Sequence, residues 1–189
     1  MDQMWQVIGT PATQTYPWLL HKHYAKRIPN IMYSYGVFID GVAAGVITYG
    51  MPSSPSLVSG ICGQEYAPHV IELNRLCVND GHDNNLPSFL VSRSLRMLPK
   101  PSIVVSYADT SMGHIGYVYQ ATNFLYTGLS AARTDPQEIG KDQHSRHVAD
   151  FATRQGHPEL FIRIERPRKH RYVRFVGSKT EVRQMKGAL

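Results

Sequence analysis

The segment that most constrains the fold is Val104 to Gly128, VVSYADTSMGHIGYVYQATNFLYTG. An apolar strand, Ile103-Val104-Val105, runs into Ser106-Tyr107-Ala108-Asp109. The chain then turns through Thr110 to His114 and enters a predicted helix carrying Tyr117, Tyr119, Gln120, Asn123 and Tyr126. A buried strand that ends in an acid beside a Tyr-rich helix gathers polar groups at one strand end. Open α/β sheets hold their ligands at that edge.

The preceding chain supplies the rest of a sheet. Trp18 to Ala25 reads as a short helix ending before Pro29, and Ile31 to Ile39 as a strand. Asp40-Gly41 is a type I′ hairpin signal, and Val42 to Tyr49 is the return strand. Gly50 to Pro68 reads as a long loop, a length that often carries function. Val70 to Val78, VIELNRLCV, alternates as a strand, with Ile71, Leu73, Arg75 and Cys77 on one side. Glu72, Asn74 and Arg75 in mid-strand are either exposed or aimed into a cleft by a bulge. Pro87 and Ser88 open a helix that Pro99 stops. Ala131 to Pro158 turns polar and His-rich and reads as an excursion. Leu160 to Glu165 and Arg171 to Val176 read as strands joined by the basic turn Arg166 to His170.

A hairpin pairs antiparallel, whereas a strand–helix–strand passage pairs parallel. The expected fold is therefore α/β (α+β mixed sheet): one domain over 1–189 with a mixed antiparallel/parallel sheet flanked by helices, splayed where parallel pairing begins.

Charge divides the chain. Residues 1–140 carry 8 Lys/Arg and 9 Asp/Glu, whereas 141–189 carry 12 and 5. The basic C-terminal part, with His144, His147, His157 and His170, suggests a polyanion partner. No apolar run approaches the ~20 residues that span a bilayer, and the start lacks a secretory pattern. Two cysteines, Cys62 and Cys77, without metal spacing fit a reduced compartment. The expectation is a cytoplasmic protein of the host cell with no membrane partner, and a homodimer is compatible with it.

The element order resembles the GNAT acyltransferase fold. ELNRLCV matches its central strand, and the helix from Leu86 its donor-binding helix. Within that fold, HYAKRIP (His23 to Pro29), ELNRLCV, YAD (Tyr107 to Asp109) and GYVYQATNFLYTG resemble the Mom family of phage DNA-modification proteins. The resemblance covers roughly Trp18 to Gly128. It implies conversion of adenine in double-stranded DNA to N6-carbamoylmethyladenine, which protects phage DNA from host restriction enzymes. The loop before the donor helix departs from acetyl-CoA-dependent members. It reads Asp83-Asn84-Asn85-Leu86-Pro87-Ser88, without glycine, and Pro87 removes a backbone donor. Asn84, Asn85 and Ser88, with Asn74, could still receive an anionic donor.

Adenine N6 is a poor nucleophile, so an enzyme must remove a proton, position the donor and stabilise an oxyanion. Asp109 could accept the N6 proton, or cap a turn. Arg75 could hold a phosphate or negative charge, or pair with Glu72. Tyr119 could protonate the leaving group, or simply pack. His23 could act as a base or contact the substrate. Tyr24 and Tyr66 could stack on an extruded base, since N6 is hard to reach inside a duplex. Imidazole, phenolate and carboxylate also suit iron, so a metal on His23, Tyr24 and Asp109 is a further option, although adjacent residues seldom both ligate one metal.

Atom counting narrows the donor. Acetyl transfer adds no nitrogen, whereas a glycyl group has the atoms of CH2–CO–NH2. Activated glycine, as glycyl-tRNA, would fit both the glycine-free loop and the basic tail; acetyl-CoA is the alternative. Arg163, Arg166, Arg168, Lys169, Arg171 and Arg174 are the expected phosphate contacts to DNA or tRNA. Two other classes stay open: a CoA-dependent N-acetyltransferase of a protein or small molecule, and a nucleic-acid-binding module without catalysis.

Overall fold

The computed structural model describes residues 4–139, 156 and 160–189. Seven strands form one mixed sheet: β1 (Trp5–Gly9), β2 (Tyr33–Ile39), β3 (Val42–Gly50), β4 (Val70–Val78), β5 (Ser102–Asp109), β6 (Leu125–Leu129) and β9 (Lys169–Val176). Their spatial order is β1-β2-β3-β4-β5-β9-β6. Two further strands, β7 (Arg133–Glu138) and β8 (Phe161–Arg166), pair only with each other as an antiparallel ribbon. The β2–β3 hairpin turns at Asp40-Gly41, both at positive φ, as a type I′ turn demands.

Helices cover both faces. On one face α3 (Leu86–Met97) and α4 (Tyr117–Ala121) pack Leu86, Leu90, Val91, Leu95 and Tyr119 against Tyr49, Ile71, Leu73, Val104 and Tyr172. On the other face α2 (Pro55–Cys62) and α5 (Lys179–Gly187) pack Ile61, Cys62 and Met185 against Val70, Ile103, Val105, Val173 and Phe175. The first helix, α1 (Ala12–Pro17), continues into a widened turn, Trp18–Lys22, closed by a bond from the His23 N–H to the Trp18 carbonyl. Leu19 is fully buried there.

The mid-strand polar trio is explained by register. β3 and β4 pair Thr48 with Arg75 but Tyr49 with Leu73, so Asn74 has no partner and forms a bulge. The extra residue reverses the alternation. Ile71 and Leu73 before it, and Leu76 and Val78 after it, all face the α3 core. Arg75 therefore shares the opposite face with Glu72, not the Leu73 face that simple alternation assigns. The parallel pairing of β4 with β5 runs from Val70/Ile103 to Leu73/Ser106, and the strands part at the bulge. Asn74 locks the parting: its amide donates to the Asn30 carbonyl (2.8 Å) and accepts from the Thr48 hydroxyl (2.6 Å).

Several expectations are corrected. Gly50 to Pro68 is not a loop: Ser54 caps α2 through the Leu57 N–H, Pro55 starts it, and a 3-10 stretch Gln64–His69 follows. The Tyr-rich helix stops at Ala121, because Asn123 takes a positive φ; Tyr126 lies in β6. The late strands β8 and β9 do not pair together: β8 pairs with β7, and β9 with β5 and β6. β1 and α5 were not expected from the sequence, although Ser178 and Glu181 form a full capping box at α5. His144, His147, His157 and most of the expected excursion lie outside the described residues.

The Asn74→Ala substitution removes both ends of the lock and leaves the Thr48 hydroxyl without its acceptor. We expect a loss of about 1–3 kcal/mol in urea unfolding, with the m value unchanged.

Candidate active site

A cleft of about 1700 Å³ opens where β4 and β5 part. It passes from one face of the sheet to the other. His23, Tyr24, Glu72, Arg75, Tyr107, Lys169 and Arg171 line one end; Asn84, Asn85, Ser88 and Tyr119 line the other. Residues far apart in sequence thus meet because the bulge and the splay prevent the two strands from closing the gap.

His23 is buried, at 8% exposure. Its Nδ1 accepts the Ala25 backbone N–H at 3.1 Å. Burial, reinforced by Arg75, His114 and Lys169, lowers its pKa to about 4. The ring is therefore neutral at pH 7, and this hydrogen bond assigns the proton to Nε2. Neutral His23 is a hydrogen-bond donor towards anything at Nε2. Tyr24 stacks on it at 4.4 Å between ring centroids and meets His114 edge-on at 5.8 Å. With 42% exposure, the Tyr24 ring offers a face to a planar group.

Arg75 donates through Nη1 to the Asn74 carbonyl at 2.5 Å, while its buried Nε has no partner. A buried guanidinium N–H without an acceptor costs free energy until an anionic or carbonyl oxygen meets it. Glu72 is half-buried and makes no hydrogen bond or ion pair among the described residues. Burial raises its pKa, against the opposing effects of Arg75, Lys169 and Arg27. A carboxylate with raised pKa and open lone pairs is a proton acceptor.

Asp109 is placed differently. Its Oδ1 accepts from the Ser111 N–H (3.1 Å) and hydroxyl (2.7 Å), and its Oδ2 lies 2.6 Å from Lys169 Nζ. Burial would raise the carboxyl, but these bonds from Lys169 and Ser111 prevail and hold it below the usual range. The residue caps the 3-10 turn Thr110–Met112 and anchors Lys169; it does not itself line the cleft. Tyr119 does line it. Burial pushes its hydroxyl up to about 12, partly offset by a hydrogen bond with Ser106.

At the α3 N-terminus, the Asn85 N–H binds the Asp83 carboxylate (2.7 Å) and the Leu86 N–H the Asp83 carbonyl (2.9 Å). Pro87 has no N–H. Three successive positions thus offer no free backbone N–H to a pyrophosphate. These residues do not fit CoA in its usual cradle. Asn74 lines the cleft but spends both ends of its amide on the bulge. Among the described residues no group of three His, Cys, Asp or Glu could hold a metal, and the occupied His23 Nδ1 and Asp109 oxygens do not fit an iron centre.

The basic residues separate by location. Arg166, Lys169 and Arg171 line the cleft. Arg168 bonds the Ser130 carbonyl, and Arg163 bonds Thr134 on the ribbon. Arg174 bonds the Asn123 carbonyl and lines a smaller pocket with Tyr126, His170 and Tyr172. Tyr66 packs against the α2–α5 core and is absent from the cleft. Tyr107, His114 and Arg133 were missed as site residues; Glu72 was named within the polar trio but given no chemical role.

A mixed sheet splayed between its parallel strands, with the N-terminus of α3 at the gap, defines a GNAT-fold protein. Solved structures agree. A Salmonella typhimurium protein assigned as an acetyltransferase, solved with its cofactor acetyl-CoA, superposes with a TM-score of 0.52 at 11% identity, covering 94% of this chain and 97% of that one. An Acinetobacter baylyi ADP1 protein assigned as an acetyltransferase gives 0.51 at 10% identity, covering 92% and 93%. Within that fold, the chain belongs to the Mom protein family, whose model matches residues 4–187. The methylcarbamoylase Mom of Escherichia phage Mu is 26% identical over 174 residues, 86% of this chain and 71% of that protein. No helix among the described residues is long and apolar enough to cross a membrane.

The depressed His23 pKa has a consequence for stability. Between pH 6.5 and about 4 the unfolded imidazole is protonated and the folded one is not, so the unfolded state binds more protons and stability falls as pH falls. In His23→Gln that slope should be shallower across this window, measured by denaturant unfolding at a series of pH values. NMR of the wild type should show the Nε2–H tautomer at pH 7.

Proposed function

We propose that this protein modifies N6 of adenine in double-stranded phage DNA, leaving a carbamoylmethyl group that protects the DNA from host restriction enzymes. The observation that carries this reading is the two-ended cleft. One end presents a neutral imidazole, an open carboxylate, a guanidinium with one N–H unpartnered and an exposed Tyr ring; at the other, the start of α3 lacks the free amides that CoA uses in its usual cradle. Family membership and the Mu relative support it.

Tyr24 stacks on the extruded base, an arrangement that needs no sequence-specific contact. Glu72 takes a proton from N6 as the amine attacks the donor carbonyl. The developing oxyanion meets the His23 Nε2–H and the Arg75 guanidinium, donors already fixed before reaction. Tyr119, protonated at neutral pH, returns a proton to the leaving oxygen on the donor side. Asp109 is a positioning residue that holds Lys169 at the rim.

The donor we assign is activated glycine, carried as glycyl-tRNA. N6 attacks the ester carbonyl, an amide forms, and the ribose hydroxyl leaves with a proton. The free glycyl amine then attacks adenine C6 through a five-membered ring. The bond from C6 to the amide nitrogen breaks, giving C6–NH–CH2–CO–NH2. No atom is gained or lost in the second step.

Nucleosides from plasmid DNA of expressing cells, analysed by mass spectrometry, test the reaction. Cells fed labelled glycine should yield a carbamoylmethyladenine that carries the label. An unlabelled product removes glycine as the donor, an acetyladenine mass returns acetyl-CoA, and an unmodified adenine pool removes the activity. Glu72→Gln should lower product by ~10²–10⁴-fold while duplex binding persists.

A further inference from the structure

The β7–β8 ribbon has no place in the chemistry just described, yet its base forms a wall of the cleft: Arg133, Asp135, Arg166 and Pro167 all line it. The register sets Arg133 directly opposite Arg166. Like charges in that position destabilise a strand pair. Asp135, 3.5 Å from Arg166, offsets only part of this, and Arg133 has no ion-pair partner among the described residues. Side chains alternate along a strand, so the face bearing the two arginines also carries Ile162 and Ile164, exposed at 49% and 39%. Arg163 lies on the other face, bonded to Thr134.

An unneutralised arginine pair followed by exposed apolar side chains is unfavourable in water and favourable against a polyanion with a groove. A two-stranded ribbon has the width of the B-DNA major groove. Lys169 and Arg171 continue the basic strip from the ribbon into the cleft, on the Glu72 and Arg75 face. The other end of the cleft, across the sheet, is lined by the uncharged Asn84, Asn85 and Ser88 instead. The polyanion on the ribbon side is therefore the acceptor.

We infer that the β7–β8 ribbon is the duplex clamp of this protein, with Arg133 and Arg166 holding DNA phosphates beside the cleft. This rests on duplex DNA being the acceptor. Fluorescence anisotropy with a labelled duplex oligonucleotide, and separately with uncharged tRNA, over a salt series tests it on the full chain. Losing two phosphate contacts in Arg133→Gln/Arg166→Gln should flatten the log Kd–log salt slope for duplex by about 2 and weaken binding at least ~10-fold at moderate salt. Arg163→Gln should change neither. Asp135→Asn, which removes a competing carboxylate, should tighten duplex binding, so the sign of its effect guards against a double variant that fails to fold. An unchanged slope in the folded double variant, or a loss confined to tRNA, overturns the clamp while leaving the acceptor reading intact. Absence of duplex binding by the wild type overturns both.

Discussion

The unpaired Asn74 is the point on which the site depends. A strand with unbroken alternation would put Arg75 into the α3 core and Leu76 on the Glu72 face, a buried cation and a Leu turned away from its core at once. The bulge avoids both by changing face between Asn74 and Arg75. It also ends the β4–β5 ladder after Leu73/Ser106, and the gap this leaves is the cleft. Bonds to Asn30 and Thr48 tie the bulge to β3 and to the segment before β2. Gly50 permits this close approach: a Cβ there would come within 2.0 Å of the Asn30 carbonyl oxygen.

Around that gap the protein separates two kinds of electrostatics. On the Glu72 and Arg75 face burial keeps His23 neutral and raises the Glu72 pKa, while Arg75 keeps an N–H unpaired. At the start of α3, Asp83 and Pro87 leave no free backbone amide at three successive positions. The GNAT fold is retained without its usual phosphate grip. A glycyl ester presented by a large RNA would not need that grip, because the body of the RNA can supply the binding free energy elsewhere.

Much of the sheet was legible from β2 to β5. Asp40-Gly41 identified the hairpin, and Val70 to Val78 and Ile103 to Asp109 matched their strands to within a residue. The elements missed had weak local signals. Short α2 hides in a Gly-, Pro- and Ser-rich stretch whose Ser54-Pro55 start also reads as a turn. In α5 the buried anchor is Met185, set among polar neighbours. For the site, His23, Tyr24, Arg75 and Tyr119 were named from the sequence and do share one cleft. Tyr66 does not, because its 3-10 turn packs it against the second core. Asp109 shows why residue type is not role: one carboxylate can accept a substrate proton or three protein bonds, and here Ser111 and Lys169 take it.

By itself, the sequence determined the strand–helix order, the hairpin, the missing glycine loop and the uneven charge, because each is a property of neighbouring residues. Only the tertiary structure decided which face Arg75 occupies, that Glu72 is the open carboxylate, and which arginines reach the cleft. Those outcomes depend on ladder register between segments remote in sequence, where one unpaired residue moves every following side chain to the other face.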